Sequence, residues 1–479
     1  MTECSDAGSA VKGEKRTDTG RAEQITFSFG EEVEPTLKFD AEAVTCDAGL
    51  AALRELDERL GLTVLAAARI KDLREPDMVV HSVLRLLREI VYAYAAGYED
   101  ASDHTPLRAD GWFRELVGEV NRDSINPKRH DGLASEPTLS RLLGGRKLDV
   151  DSVGFVHVEQ FGRVVENSPP AVVTFDIDGY DAETYGGQQL SLFNGYYDQY
   201  MYYPLTVTAA EYGFAVAARL RPGNAAAGEG AAELLRPVFE YMRKHFPNTR
   251  LRLRGDSGFM DPKLYRLCEE FGVEYEIRLR MNEVLKRLFE KHLVPKAEKM
   301  LREKPGEKWA LYHETTYKAG SWKKARRIVM KLQYDPWKES FERYVIVTNS
   351  RRRRRGVWTL YEHRAQCEQR IDELKNHLRA EKFSCCEFHA NAFKLHLIVM
   401  AHNLFAAARV MLPRDHELKR ATVARLRIAL VKCAATLRRT ARRLWMHASR
   451  TWPYRGLLAD VARRFVSGRL VPTPVWDTG

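Results

Sequence analysis

The sequence lacks the long apolar runs that membrane proteins carry. None of its 479 residues belongs to an uninterrupted apolar stretch of about 18 or more, the length that a membrane-spanning helix needs. The opening segment, MTECSDAGSAVKGEKR, also lacks the apolar centre of a secretory signal. We therefore expect a soluble cytoplasmic protein without a membrane partner.

Paired cysteines are also missing. The seven cysteines form no array of CxxC pairs, and an odd number argues against a disulfide framework. The simplest expectation is a set of reduced thiols without a zinc site.

Acidic residues are scarce near the C-terminus. From Arg414 to Gly479 the sequence holds fifteen Lys or Arg and only four Asp or Glu, an excess that equals the net charge of +11 of the whole chain. Trp445, Trp452 and Tyr454 lie among these arginines, a combination typical of surfaces that bind polyanions. A helical surface that only keeps the protein in solution would have a similar composition, so both interpretations stand.

The first part of the chain divides into a polar segment and a helical segment. Residues 1–40 show little hydrophobic periodicity and are predicted to be disordered. Apolar residues then recur at a spacing of three to four, as from Val79 to Ala95, which indicates amphipathic helices. We predict a helical N-terminal domain over residues 41–150.

A short motif near the end of this domain predicts a helix that suits DNA binding. In LASEPTLSRLLGG, from Leu133 to Gly145, Ser135 suits the helix cap and Pro137 the first turn. The helix would display Arg141, as a helix that enters a DNA groove does. Simple packing explains the motif equally well, so DNA binding by this domain is an expectation.

After Val150 the hydrophobic pattern changes from helical to strand-like. The segments predict three strands, a helix, a strand, a helix and a fifth strand, with the second and third strands joined as a hairpin. This α/β pattern has an antiparallel beginning and a parallel continuation. It is also the element order of the ribonuclease-H-like fold.

We therefore predict a ribonuclease-H-like catalytic core interrupted by a β-rich insertion. The segments WALYHETTY, RRIVMKLQY and RYVIVTN alternate as strands in that insertion. The predicted boundaries are 151–280 for the first part of the core, 281–345 for the insertion, 346–412 for the second part of the core with a Glu-bearing helix, and 413–479 for a basic helical C-terminal region.

Acidic residues follow the predicted first and fourth strands. Asp176 and Asp178 end the first strand on one face, because strand side chains alternate with a period of two. Asp256 ends the fourth strand in RGDSGF, and Glu368 lies on a later helix. In the ribonuclease-H-like fold, acids from these three elements converge on a divalent metal. One such acid is ordinary on a protein surface, but three in these positions predict a metal-dependent site.

The stretch YEHRAQCEQRIDELK, from Tyr361 to Lys375, is predicted to form that helix. At about 100° per residue, four of its side chains would share one face of a regular α-helix. They are Tyr361, Arg364, Glu368 and Lys375. A carboxylate suits a divalent cation, whereas Arg and Lys suit phosphate oxygens. An ordinary solvated helix with ion pairs is the alternative.

These four residues carry a resemblance to a known family. Their spacing is similar to the Tyr-Arg-Glu-Lys signature of bacterial insertion-sequence transposases of the DDE type. The segments DIDGYD, ETYGGQQ, LRPGN and RGDSGF resemble the insertion-sequence thirteen-eighty group within that branch. The resemblance covers most of residues 45–450.

One position departs from the family pattern. Relatives often carry a small residue and then Thr after the first catalytic Asp, where this sequence has Gly179 and Tyr180. The choice of that acid is therefore open among Asp176, Asp178 and Asp181, with Asp178 preferred.

The resemblance implies a transposase that binds the terminal inverted repeats of its insertion sequence. It implies metal-dependent cleavage and strand transfer of double-stranded DNA, by a homodimer on paired ends, in the bacterial cytoplasm at the nucleoid. The implied cofactor is a pair of Mg²⁺ ions, for which Mn²⁺ can substitute, held by Asp178, Asp256 and Glu368. Two other functions stay open: a ribonuclease-H-like nuclease that cleaves without joining, and an inactive transposase that binds DNA as a repressor.

Other side chains are expected to contact the DNA. Five consecutive arginines, Arg351 to Arg355, repel one another unless an anion lies beside them. The expected phosphate contacts are Tyr361, Arg364, Lys375, Arg351, Arg353, Arg355 and Arg141. Trp309 and Trp322 in the insertion are candidates to stack on an unpaired base, although a place in the core is the better explanation for at least one of them.

Overall fold

The computed structural model describes most of the chain. The described residues are 24–27, 35–40, 43–118, 132–145, 148–149 and 151–476. Within the segment predicted to be disordered, two short strands are described and pair antiparallel, β1 (Gln24–Thr26) and β2 (Thr36–Lys38). The prediction of disorder otherwise falls on residues outside the described ranges.

The helices and the remaining strands have the following bounds. The helices are α1 Leu50–Leu60, α2 Leu62–Ala68, α3 Val83–Ala96, α4 His104–Leu107, α5 Gly111–Leu116, α6 Glu136–Leu143, α7 Val156–Val165, α8 Ala231–His245, α9 Pro262–Glu270, α10 Glu283–His292, α11 Val294–Glu303, α12 Arg354–Glu362, α13 Ala365–Asp372, α14 Phe388–Met411, α15 Val423–Leu426 and α16 Arg455–Ser467. The strands are β3 Val44–Thr45, β4 Lys71–Asp72, β5 Leu148–Asp149, β6 Val172–Gly179, β7 Ala182–Glu183, β8 Leu192–Asn194, β9 Gln199–Tyr202, β10 Leu205–Ala209, β11 Phe214–Arg219, β12 Arg250–Gly255, β13 Glu274–Arg278, β14 Trp309–Tyr317, β15 Arg326–Asp335, β16 Ser340–Thr348, β17 Ala435–Arg439 and β18 Leu444–Ala448.

An eight-stranded mixed sheet forms the centre of the protein. Its strand order is β11-β10-β6-β12-β13-β16-β15-β14. β6, β12 and β13 run parallel to one another, whereas β10 pairs antiparallel with both β6 and β11. The predicted order of three strands, helix, strand, helix and strand is confirmed by β6, β10, β11, α8, β12, α9 and β13.

The predicted insertion extends this same sheet. Helices α10 and α11 come first, and then β14, β15 and β16 form at the segments predicted to be strands. β16 pairs antiparallel with β13, so hydrogen bonding continues without a gap from the core strands into the insertion. The insertion therefore prolongs the sheet instead of forming a separate one.

Helix α14 joins the sheet to the N-terminal helices. Almost all of its 24 residues are buried, and it packs against α3 and against the edge strand β11. Asn403 pairs with the backbone of that edge strand, because its Oδ1 accepts from the Ala215 N–H at 3.0 Å and its Nδ2 donates to the Ala215 carbonyl at 2.9 Å. Although α14 is long and buried, neither it nor any other described helix has the length and apolar character for a membrane crossing.

The C-terminal region contains a β-hairpin that the sequence did not predict. β17 pairs with β18 on one side and with β3, from the N-terminal region, on the other. The predicted helical character of residues 413–479 holds for α15 and α16 but not for this hairpin. Buried and exposed residues alternate over only the first four positions of Ala435–Arg439, the shortest run that indicates a strand.

A histidine pair between α7 and α14, with His157 buried and His396 half-buried, should make the protein sensitive to acid. Nε2 of His157 on α7 lies 3.0 Å from Nδ1 of His396 on α14. Burial, with a contribution from the His396 imidazole, lowers the pKa of His157 well below its ordinary value, and burial lowers the pKa of His396 to about 4. Unfolded histidines have a pKa of about 6.5. As the pH falls below about 6.5 the unfolded chain therefore binds protons that the folded chain does not, and the free energy of unfolding should decrease.

The substitution His396→Gln should weaken this pH dependence. The matched control is His447→Gln on β18, where the imidazole is exposed to solvent. Urea unfolding measured at about pH 7 and about pH 5 gives the difference for each variant. An equal loss of stability in acid for the parent and the His396→Gln variant would contradict the role of the pair.

Candidate active site

Two carboxylates lie next to each other at the C-terminal ends of two central strands of the large sheet. β6 and β12 are parallel with Ile177 opposite Gly255, so the residues that follow, Asp178 and Asp256, lie at adjacent strand ends. The Asp178 side chain is only 19% exposed. Burial raises the pKa of the Asp178 carboxyl, and the negative charge of Asp256 adds to the rise. The acids predicted on two separate strands are therefore neighbours.

The turn after β12 fixes the carboxylate of Asp256. Its Oδ1 accepts a hydrogen bond from the Gly258 N–H at 2.8 Å and so caps the 3₁₀ turn Ser257–Phe259. A Cβ at Gly258 would lie 2.6 Å from the Ala227 side chain and 3.0 Å from Asp256 Oδ1. The RGDSGF segment therefore needs glycine at this position to hold the acid at the strand end.

Asp176 forms a buried ion pair with the neighbouring strand. Arg254 on β12 donates to both carboxylate oxygens of Asp176, at 2.7 and 2.8 Å, and both side chains are buried. Nη1 of Arg254 also donates to the Leu360 carbonyl at 2.7 Å, which ties α12 to the sheet. Both oxygens of Asp176 are thus engaged in holding the fold together.

Arg364 connects the later helices to Asp178. Its Nη2 donates to Oδ2 of Asp178 at 2.6 Å. Burial alone would lower the pKa of the Arg364 guanidinium, but the Asp178 charge, together with smaller contributions from Cys367, Tyr361 and Asp176, raises it. Arg364, predicted to contact phosphate, is paired with an acid in this structure.

The predicted regular helix from Tyr361 to Lys375 is interrupted. α12 ends one residue after Tyr361, and α13 begins at Ala365. Between them the N–H of Arg364 donates to the Tyr361 carbonyl at 2.9 Å, an i to i+3 bond that tightens the backbone. The prediction that four signature side chains share one regular helical face is therefore wrong.

A π-helical turn, Glu373–His377, follows α13 and carries Lys375. The N–H of Leu378 donates to the Glu373 carbonyl at 3.1 Å, an i to i+5 bond that changes the angle between successive side chains. Nζ of Lys375 lies 2.8 Å from Oδ1 of Asp181. Lys375 therefore contacts an acid just beyond β6.

Glu368 lies in the first turn of α13 and is exposed. Residues four apart on a helix are neighbours, so Glu368 follows one turn after Arg364, the residue that contacts Asp178. Across the described ranges, no group of three or more His, Cys, Asp or Glu side chains is arranged to hold a metal ion. The structure thus brings Asp178 and Asp256 together, but Glu368 does not join them in a group of three carboxylates.

A buried cluster of charges holds α13 and the π-helical turn against α14. Glu373 accepts two hydrogen bonds from Arg409, at 2.7 and 3.0 Å, and its Oε2 lies 3.3 Å from Nε2 of His402. Burial alone would raise the pKa of the Glu373 carboxyl, but the Arg409 charge, together with the hydrogen bonds from His402 and Arg409, lowers it far below its ordinary value. Arg370 on α13 adds a second guanidinium, 3.3 Å from the centre of the Trp476 ring. No motif in the sequence pointed to this cluster.

Most of the predicted phosphate contacts are exposed. Arg351, Arg353 and Arg355 are exposed and lie just before or in the first turn of α12. Among the residues that the structure describes, no acid forms an ion pair with these three arginines. Arg141 is exposed on α6 and donates to the Thr138 hydroxyl at 3.2 Å. Tyr361 differs, because it packs edge-on against Trp358 with ring centres 5.9 Å apart.

The two tryptophans predicted to stack on a base pack inside the protein. Trp322 is 5% exposed and meets the Tyr265 ring edge-on, and Trp309 stacks on Tyr334 with ring centres 5.3 Å apart. Each would have to leave this packing to contact a nucleotide. Trp337, in the turn between β15 and β16, is 95% exposed. It was not among the predicted residues, although the turn signal DPWKES between two strands marks an exposed position.

Comparison with protein-family models gives a finding independent of this geometry. Residues 27–468, most of the chain, match the model described as transposase DDE domain group 1. The matched range contains both acid-bearing strand ends, the insertion and α13. Comparison with curated proteins finds no match.

Proposed function

The chain belongs to the family of transposases with a DDE domain of group 1, and on that premise we propose that it cleaves and joins DNA at the ends of its own insertion sequence. It would bind the terminal inverted repeats, cut the DNA there in a metal-dependent reaction, and transfer the ends into target DNA. The signature Tyr361, Arg364, Glu368 and Lys375 supports assignment to the insertion-sequence thirteen-eighty group.

This proposal rests on three chain segments that lie close together at the C-terminal ends of β6 and β12. β6 and β12 end in Asp178 and Asp256 side by side, and Arg364 reaches Asp178 from the start of α13. Glu368 follows one helical turn later. Carboxylates from separate elements, gathered beside groups that bind phosphate, are what metal-assisted phosphodiester chemistry requires.

Asp178 is the first acid that we propose for this site. Arg254 engages both oxygens of Asp176 in a buried pair, and Lys375 pairs with Asp181. The charge of Asp256 contributes to the raised pKa of the Asp178 carboxyl, which is consistent with two acids that lie close together. The pair of Asp178 with Arg364 is also closer to solvent than the fully buried pair of Asp176.

The strand order supports a ribonuclease-H-like core. Counted in chain order within the core, β11-β10-β6-β12-β13 are the third, second, first, fourth and fifth strands. The acids lie at the ends of the first and the fourth, as the predicted fold requires. We propose that the domains keep the predicted boundaries, with residues 281–345 inserted in sequence but continuous with the core sheet.

We further propose that Asp178, Asp256 and Glu368 hold Mg²⁺, with two ions per site. Carboxylate oxygens are the ligands that Mg²⁺ prefers, and two neighbouring carboxylates need a compensating positive charge. Arg364 supplies part of that charge in the described structure. Bound metal would activate water and then a DNA 3′-hydroxyl for in-line attack and would stabilise the leaving oxygen. Arg364, released from Asp178, could then contact a DNA phosphate.

Several exposed side chains are suited to hold the DNA. Arg351, Arg353 and Arg355 offer a row of cations in front of α12 for phosphates. Trp337 replaces the packed Trp309 and Trp322 as the tryptophan that we propose for stacking on an unpaired base, because its ring is free of such packing. The proposed partners are paired transposon ends and target DNA, bound by a homodimer at the bacterial nucleoid.

A joining assay separates this function from its two rivals. The substrate is a labelled duplex that carries the inverted repeats flanking the gene, first intact and then pre-cleaved, with a target plasmid and Mg²⁺. Joined products are expected, chelation of the metal should abolish them, and Mn²⁺ should restore them. Cleavage without joining would favour a nuclease, and binding without cleavage an inactive transposase that represses its element.

A further inference from the structure

A long stretch of the C-terminal region contains no acidic residue. Between Leu418 and Ala459 the sequence has eleven Lys or Arg and neither Asp nor Glu. Six of these cations have partners in the fold, either backbone carbonyls or acids from other parts of the chain. They are Lys419, Arg420, Arg425, Arg427, Lys432 and Arg439.

The other five cations lie in or just after the β17–β18 hairpin. They are Arg438, Arg442, Arg443, Arg450 and Arg455. All five are exposed, and in the described part of the chain none of them has an ion-pair partner. Three of these five arginines, Arg438, Arg442 and Arg443, therefore lie in one element, the β17–β18 hairpin, whereas Arg450 follows it and Arg455 begins α16.

The hairpin arranges part of this charge on one face. Arg438 on β17 is directly opposite Trp445 on β18, so the two side chains project to the same side, as His447 does two residues later. All three are exposed. The turn adds Arg442 and Arg443, and the Arg443 guanidinium lies 5.7 Å from the centre of the Trp445 ring. We call these five residues the hairpin outer face.

The opposite face of the hairpin anchors it to the protein. Leu437 is buried, and Met446, directly opposite it, packs in a small apolar cluster around Cys433. β17 also pairs with β3, and neither hairpin strand pairs with a strand of the eight-stranded sheet. The outer face is thus built on a sheet that includes β3 from the N-terminal region, and this sheet differs from the one that carries Asp178 and Asp256.

We propose that the hairpin outer face binds the backbone of duplex DNA as a second contact, in addition to the site at the strand ends. Guanidinium groups without acidic partners suit phosphate oxygens, and Trp445 offers an aromatic surface beside them. A two-stranded ribbon has the dimensions that the DNA major groove admits. This inference rests on the proposed function only for the choice of DNA as the polyanion.

The test compares two triple variants of the full chain that lose the same charge. The hairpin variant is Arg438→Gln, Arg442→Gln and Arg443→Gln. The control variant is Arg69→Gln, Arg163→Gln and Arg236→Gln, which removes three arginines of similar exposure that are paired with acids elsewhere. Kd is measured by fluorescence polarisation with a labelled duplex of about 30 base pairs and arbitrary sequence, over a range of salt concentrations.

The hairpin variant should bind the duplex at least about tenfold more weakly. Its affinity should also depend less on salt: the slope of log affinity against log salt concentration should become shallower by about 0.9 for each lost phosphate contact. The control variant should bind like the parent. Equal effects of the two variants, or no effect of the hairpin variant, would overturn the proposal, as would a preference of the outer face for duplex RNA. Thermal unfolding checks that both variants fold.

A cleavage measurement keeps this proposal separate from the proposed function. At protein concentrations that saturate the DNA, the hairpin variant should cleave at the parental rate, because its substitutions lie on a different sheet from the strand-end acids. If the parent binds DNA through the hairpin but does not cleave it, the catalytic proposal fails and the hairpin proposal stands.

Discussion

Glu368→Gln and Asp256→Asn should each abolish DNA cleavage while leaving DNA binding close to that of the parent. Both substitutions keep the shape of the side chain and remove its negative charge, which a divalent metal ligand needs. Asn at position 256 can still accept the hydrogen bond from Gly258 that holds the turn. We expect the single-turnover rate of strand nicking in Mg²⁺ to fall by about three orders of magnitude or more, as losses of essential catalytic groups do.

Two other acids provide matched controls for this experiment. Glu362→Gln changes an acid of α12 whose carboxylate is about half exposed and pairs with Lys331, so cleavage should persist. Asp176→Asn should act on folding, because it breaks the buried pair with Arg254. A Glu368→Gln variant that nicks DNA within about tenfold of the parental rate would remove Glu368 from the site.

The acid-bearing strand ends could be predicted because they depend on local sequence. AVVTFDID and LRLRGDSGF alternate over several residues and end in turn residues, and this fixes both the strand and its last acid. Once β6 and β12 are parallel neighbours, Asp178 and Asp256 must lie side by side. The parallel arrangement itself follows from the helix between the strands.

The arrangement of the later helices could not be predicted, since it depends on contacts that are distant in sequence. The helix break beside Arg364 accompanies an ion pair to Asp178, and the π-helical turn places Lys375 beside Asp181. A prediction that assumes a constant angle per helical residue cannot include either the helix break or the π-helical turn. The β17–β18 hairpin was missed for a related reason, because its pairing with β3 joins opposite ends of the chain.

The buried cluster behind α13 leads to the second large expected effect. Glu373 is the carboxylate that faces both Arg370 and Arg409, and all three side chains are buried. Glu373→Gln would leave two guanidinium groups without that charge in the interior. Breaking one partner of a buried ion pair costs about 3 to 5 kcal/mol. We expect the free energy of unfolding to fall by about that amount in urea titrations.

The two arginines should respond differently, and this contrast makes the prediction specific. Arg409 donates two hydrogen bonds to Glu373, so Arg409→Met should be as costly as Glu373→Gln. In the described part of the chain, the side-chain nitrogens of Arg370 are buried without a hydrogen-bond acceptor, and its close neighbour is the face of Trp476. Arg370→Met should therefore cost little by itself.

Combined with Glu373→Gln, the Arg370→Met substitution should recover part of the lost stability, because it removes one of the two uncompensated charges. A double-mutant cycle measures that coupling. If the two changes in the free energy of unfolding are strictly additive, the contribution of Arg370 to stability does not depend on Glu373. Because α13 carries Glu368, the single Glu373→Gln variant should also cleave DNA more slowly under conditions in which it remains folded, and the double variant should regain part of that rate.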